Sequence, residues 1–157
     1  MRVHCPLALA ALCVLAGCRL DRGSSSDDAG AAAPDVNLDS PAGQGMIAVQ
    51  ARQCGECHQP PDPADGVLSG QTTPVHGTHV YGSNLTPDPD TGMDSWDAGS
   101  IALAILARQG VDGGMLCPTM PAYADAGMGS DEAMSIAVYL QSLPPVWRPI
   151  PASTCSP

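Results

Sequence analysis

The chain has 157 residues, room for one ordinary domain, and its 17 Gly and 16 Pro argue against long runs of helix or strand. Phe is absent and aromatics make up only 3% of residues, so a compact core lacks its usual bulky side chains and something else has to fill it. The six basic residues are all Arg, none clustered, and a formal net charge of −10 excludes the electrostatic footprint of a nucleic-acid binder.

Arg2 precedes an apolar run from Pro6 to Gly17. At about a dozen residues it is too short to cross a bilayer, which needs ~20, and it reads as the h-region of a signal peptide over residues 1–17. Its end, Leu15-Ala16-Gly17-Cys18, resembles a bacterial lipobox, in which the cysteine is lipidated and becomes the new N-terminus. The plainer alternative is secretory cleavage near Gly17 with a bystander cysteine. Residues 18–40 then form the lipid anchor and a flexible acidic linker, with Ser24-Ser25-Ser26 and Asp27-Asp28, unable to bury a core. The expected location is the bacterial cell envelope, membrane-anchored and facing the periplasm. Arg19, rather than an aspartate, after Cys18 leans towards the outer membrane.

From residue 41 the pattern becomes that of an all-α domain reaching to 145. A short helix is predicted over Ala42 to Arg52, ending just before Cys54. Residues 59–95 are dense in Pro, Gly, Asp and Thr; a loop this long in a small domain usually wraps something functional. A second helix is predicted from Trp96 to Gln109, with Ser95 as N-cap and Gly110 as the stop. A third starts at Ser130, carries Ala133, Ile136, Ala137 and Leu140 on one face, and ends at Pro144-Pro145. Residues 146–157 are a Pro-rich C-terminal tail.

Cys54-Gly55-Glu56-Cys57-His58 is a C-x-x-C-H motif, the haem attachment signature of c-type cytochromes. Two thiols three residues apart can add to the two vinyl groups of one haem, and the adjacent imidazole can then reach the iron. A zinc ribbon would need a second paired motif, and Cys117 and Cys155 stand alone. A thioredoxin-like dithiol would need a βαβ setting, and a plain Cys54–Cys57 disulfide would leave His58 without a role. For the sixth iron ligand, Met120 is favoured, because Pro118 and Pro121 hold its loop extended and pre-ordered. Met134 is expected in the core, and Met93, Met115 and Met128, beside glycines, on the surface. His76 and His79 read as solvated loop histidines, with replacement of Met120 by one of them as the alternative, which would lower the reduction potential.

The region 41–145 resembles class I cytochromes c, and more narrowly the cytochrome c domains of periplasmic alcohol and sugar-acid dehydrogenases. The resemblance rests on Gly45, Leu68-Ser69-Gly70, Asn84-Leu85-Thr86-Pro87-Asp88, Thr91-Gly92, Trp96, Met120-Pro121 and Ser142-Leu143-Pro144-Pro145. It implies about three main helices wrapped round one covalent haem c, with the first and last helices crossing at Gly45 and Tyr139. Such subunits commonly carry several C-x-x-C-H motifs, whereas this chain has one, which implies a monohaem carrier. The haem would also account for the missing Phe as the largest apolar body in the core. Cys117 and Cys155, an even pair in an oxidising compartment, suggest a disulfide closing a ring of about 38 residues. Chain-entropy arguments place such a link at ~4 kcal/mol, and it would stiffen the Met120 loop.

The expected function is electron transfer, with Cys54 and Cys57 holding the haem and His58 and Met120 binding its iron. The chain would then be a carrier rather than an enzyme, serving a dehydrogenase or oxidase complex. An acidic surface suits redox partners with a basic docking patch. The alternatives are a haem-based peroxidase-like catalyst or gas sensor with a displaceable sixth ligand, and a non-haem lipoprotein that uses its cysteines structurally.

Overall fold

The computed structural model describes residues 37–155. The signal segment, Cys18 and most of the acidic linker lie outside the described residues. Among those described, regular structure is helical and no strand forms; Gln109 and Met115 make one isolated antiparallel bridge. This agrees with the all-α expectation. No described helix is long and apolar enough to cross a membrane.

Helix α1 (Pro41–Ala51) starts where Ser40 Oγ accepts the Gly43 N–H at 3.1 Å and Pro41 supplies a preset φ. Its buried positions are Gly43, Gly45, Ala48 and Val49, all small, while Ile47 is exposed. Small residues are required because α1 crosses α4 (Ser130–Ser142) at close range. A Cβ on Gly45 would run into the Ser135 carbonyl and stand 2.8 Å from the Tyr139 Cβ. Arg52, at the end of α1, pairs with both carboxylate oxygens of Glu132 at 2.7 and 2.8 Å, so an ion pair locks the end of one helix to the start of the other.

Gln53, with φ +58°, breaks the chain out of α1 ahead of a four-residue helix, α2 (Gly55–His58), which with its N-cap Cys54 makes up the C-x-x-C-H motif. Sequence periodicity gave no sign of it, since four residues are too few to show a period. Helix α3 (Ala98–Ala107) is shorter than expected. Asp97 caps it, accepting the Ser100 N–H at 2.6 Å, so the cap falls two residues later than Ser95. Trp96 is thereby left in the turn before the helix, donating its N–H to the Met93 carbonyl at 3.0 Å. The far end closes at Arg108, which takes the left-handed conformation (φ +57°) two residues ahead of Gly110.

In α4 the apolar face is the one read from the sequence: Ala133, Ile136, Ala137 and Leu140 are all buried. Met134 is not in the core; it sits on the other side of α4, 41% exposed. Three-residue spacing separates buried positions here, and 134 falls between 133 and 136.

The long loop contains two 3-10 turns, Pro63–Asp65 and Val75–Gly77, and a buried polar scaffold built on Asn84, Thr86 and Asp88. Asn84 Oδ1 accepts from the Thr86 N–H and hydroxyl at 3.0 and 2.8 Å, and its Nδ2 donates to Thr91 Oγ1 and the Val146 carbonyl. Asp88 accepts from the Thr91 N–H and hydroxyl, both at 2.7 Å, which holds its carboxyl below the usual range. These bonds satisfy polar groups that would otherwise be costly to bury. The Pro-rich tail runs along this scaffold as a strap, its Val146 and Arg148 N–H groups donating to Thr86 and Thr91, and Arg148 paired with Asp65 at 2.7 Å.

Candidate haem site

A cavity of ≈ 390 Å³ lies between the helices and the long loop. Val49, Ile101, Ile105, Ile136 and Leu140 bring apolar side chains to it from α1, α3 and α4. Cys54, Cys57 and His58 line it from α2. Cys54 and Cys57 are free and half-buried, and burial pushes both thiols up in pKa, so they stay protonated.

His58 is positioned by the loop that passes over α2. Gly82 lies directly against the Cys57 carbonyl, where a side chain could not fit. From the next residue, the Ser83 carbonyl faces His58 Nδ1 at 2.9 Å. A carbonyl can only accept, so Nδ1 carries the proton and Nε2 keeps its lone pair. Burial lowers the pKa of this imidazole more than the Ser83 hydrogen bond raises it, which also favours the neutral ring. A neutral imidazole whose other nitrogen is fixed by a backbone carbonyl is the form that ligates a metal. The C-x-x-C-H turn is in turn held from beneath, the Gly70 N–H donating to the His58 carbonyl at 2.8 Å and Gln71 Nε2 to the Glu56 carbonyl at 3.0 Å.

Met120 is half-buried and lines the same cavity. So do Met93, half-buried, and Met128, only 5% exposed; both were expected at the surface. The glycines beside Met128 do not free it, because its N–H is tied to the Tyr123 carbonyl at 3.0 Å and its side chain packs into the core. Met115 is exposed, and His76 and His79 are exposed and do not line the cavity. Cys117 and Cys155 are joined by a disulfide with their Cα atoms 5.2 Å apart.

Sequence reasoning missed the Ser83 carbonyl, Gly82 and Met128. A backbone carbonyl has no sequence mark, and the only hint was a Gly-Ser pair just before Asn84-Leu85-Thr86. Among the described residues no cluster of three or more His, Cys, Asp or Glu could hold a metal ion, which leaves zinc without a donor set. One imidazole, two thiols, thioether sulfurs and apolar walls instead fit an iron porphyrin, which needs apolar surroundings for its ring and one nitrogen donor with a fixed tautomer.

Fold and site together thus define a small helical domain built round a C-x-x-C-H segment that faces an apolar cavity. The chain is 30% identical over 147 residues to a "Diheme cytochrome c-type" protein of Cereibacter sphaeroides, covering 88% of this chain and 47% of that protein. It is also 30% identical over 113 residues to a nicotinate dehydrogenase subunit of Pseudomonas putida, covering 70% of this chain and 9% of that one. The chain therefore spans about half the length of the first relative and a small part of the second. No family model matches. The similarity supports a cytochrome c-type relationship, and with it a haem c cofactor.

Proposed function

We propose that this chain is an electron carrier holding a single haem c, attached through Cys54 and Cys57, with His58 and Met120 as axial ligands. The observation that carries the reading is the His58 ring, its Nδ1 proton committed to Ser83 and its other nitrogen available beside two free thiols on the wall of an apolar cavity. Bound there, the haem supplies a one-electron ferric–ferrous couple. The protein's part is to exclude water with Ile101, Ile105, Ile136 and Leu140, to fix the imidazole, and to present Met120 from a turn. Met120 is preferred to Met93 and Met128 because its turn is braced by prolines on both sides, whereas Met128 is buried within the core. Supporting electron transfer at the coarse level are the two distant relatives, one a cytochrome and one a dehydrogenase subunit.

In this reading, Cys18 carries a lipid anchor, the acidic linker holds the domain on the periplasmic side of a membrane, and the partner presents basic residues to a chain of net charge −10. The deciding measurement is the absorption spectrum of protein expressed with a cytochrome c maturation system. The expected result is sharp low-spin bands in the folded protein, with a weak long-wavelength iron–sulfur band when oxidised, and a haem that stays with the chain on denaturing extraction. A high-spin spectrum that shifts with carbon monoxide would replace the carrier with a catalyst or sensor. Absence of covalent haem would sink both.

A further inference from the structure

The C-terminal strap touches both sides of the proposed iron site. Cys117 opens a tight turn that closes on Met120, whose N–H donates to the Cys117 carbonyl at 3.0 Å with Pro118 at the second position. The stretch is slung between two backbone anchors at the end of α3, Leu116 N–H to Arg108 at 2.8 Å and Tyr123 N–H to Ile105 at 3.0 Å. Between those anchors, among the described residues, no hydrogen bond links 117–121 to a distant segment. The disulfide to Cys155 does so instead.

At its other end the strap is fastened unevenly. Its first half is held by hydrogen bonds that link Asn84 and Thr86 to Val146 and Thr91 to Arg148, and by the Arg148–Asp65 ion pair. Its second half has three links, all to Tyr81 and His79: the Tyr81 N–H to Ser153 Oγ and the Thr154 N–H to the His79 carbonyl, both 2.9 Å, and the Ser153 hydroxyl to the Tyr81 carbonyl at 3.4 Å. These fall on the segment 79–83 that carries the Ser83 carbonyl, the partner of His58. Cys155 is exposed, while Cys117 is half-buried.

We propose that this strap is a thiol-sensitive clasp on the sixth ligand, an inference that rests on the His58 and Met120 ligation proposed above. A thiolate of a dithiol reductant attacks the exposed Cys155 sulfur, the S–S bond breaks and Cys117 leaves. The reductant's second thiol then resolves the mixed disulfide. Two electrons and two protons have passed to Cys117 and Cys155, and the reductant ends as a disulfide. The distal strap comes off residues 79–81, the Cys117–Met120 turn loses its one cross-link, and Met120 becomes exchangeable while residues 146–148 stay in place. The same chain would then pass from a closed electron carrier to a form that admits an external ligand, according to the thiol balance of its surroundings.

The test uses the haem-loaded, ferric protein in three forms: wild type, Cys155→Ser, and wild type reduced with a phosphine, alkylated with iodoacetamide and reoxidised with ferricyanide. Cyanide uptake is followed by absorbance, and amide hydrogen exchange is followed at Tyr81 and Thr154. The expected result is uptake about ten-fold faster or more in both opened forms, which corresponds to a barrier lower by about 1.4 kcal/mol. Faster exchange at the two amides should accompany it, and a Met120→Ala background should abolish the difference. Unchanged uptake, with or without faster exchange, overturns the clasp and leaves the electron-carrier reading standing. A wild type that binds haem without the iron–sulfur band overturns the Met120 ligation, and the clasp with it.

Discussion

The residues of the site show what a sequence can and cannot carry. The C-x-x-C-H spacing was legible at once, because two thiols and an imidazole at that interval have few chemical uses, and the structure puts all three on one cavity wall. The choice among methionines was not legible, since burial depends on where a loop comes to rest: Met128 is in the core and Met134 outside it, the reverse of their neighbourhoods' suggestion. The structure therefore turns the ligand question into a paired experiment. Met120→Ala should lose the iron–sulfur band and lower the reduction potential, because methionine ligation raises it. Met128→Ala should keep the band and potential and lose about 2–5 kcal/mol of stability, the usual cost of truncating a buried methionine. The two are separated by spectra and urea titration of the oxidised protein. The reverse pattern would assign the sixth position to Met128.

At the level of elements, the first and last helices carry most of the fold's closure. The face of α4 could be read from periodicity, whereas the short α2 and the capping of α3 by Asp97 could not, because competing caps two residues apart look equivalent until the turn before them is fixed. Gly45 supplies a test whose sign decides. Helix propensity alone favours Gly45→Ala by about 0.5–1 kcal/mol, but the added methyl meets the Ser135 carbonyl. The expected outcome is a net loss of about 1–3 kcal/mol of stability in a urea titration, the range of overpacking. The ion pair beside that crossing predicts a pH dependence. The hydrogen bonds from Arg52 hold the Glu132 carboxyl below its ordinary value, so its contribution is present above the ordinary glutamate range and is lost as pH falls through the lowered folded value. Thermal melts of wild type and Glu132→Gln should differ at pH 7 and converge towards pH 3.

For the whole molecule, charge and topology act together. With 16 acidic residues against six arginines, long-range attraction of a cationic partner should dominate encounter. Electron exchange with a small cationic reagent should therefore slow as ionic strength rises from about 10 to 150 mM, where the screening length shrinks from about 30 to 8 Å, and exchange with an anionic reagent should quicken. Stopped-flow rates at the two salt levels settle it; equal slopes would place the negative charge away from the exchanging face. The helical pattern was readable from spacing and the crossing of terminal helices only from the family resemblance, but the strap was not readable at all, since a Pro-rich tail carries no period and its partners Thr86 and Thr91 lie far away in the chain. That crossing also sets a schedule. Gly45 meets Ser135 and Tyr139, so α1 has nothing to close against until a stretch of some ninety residues behind it has been made. Contacts so remote in sequence form late. Under the haem attachment proposed above, a chain delivered from its N-terminal end presents Cys54, Cys57 and His58 before the last helix is there to close the fold over them, and that delay is the interval in which the two thiols can react.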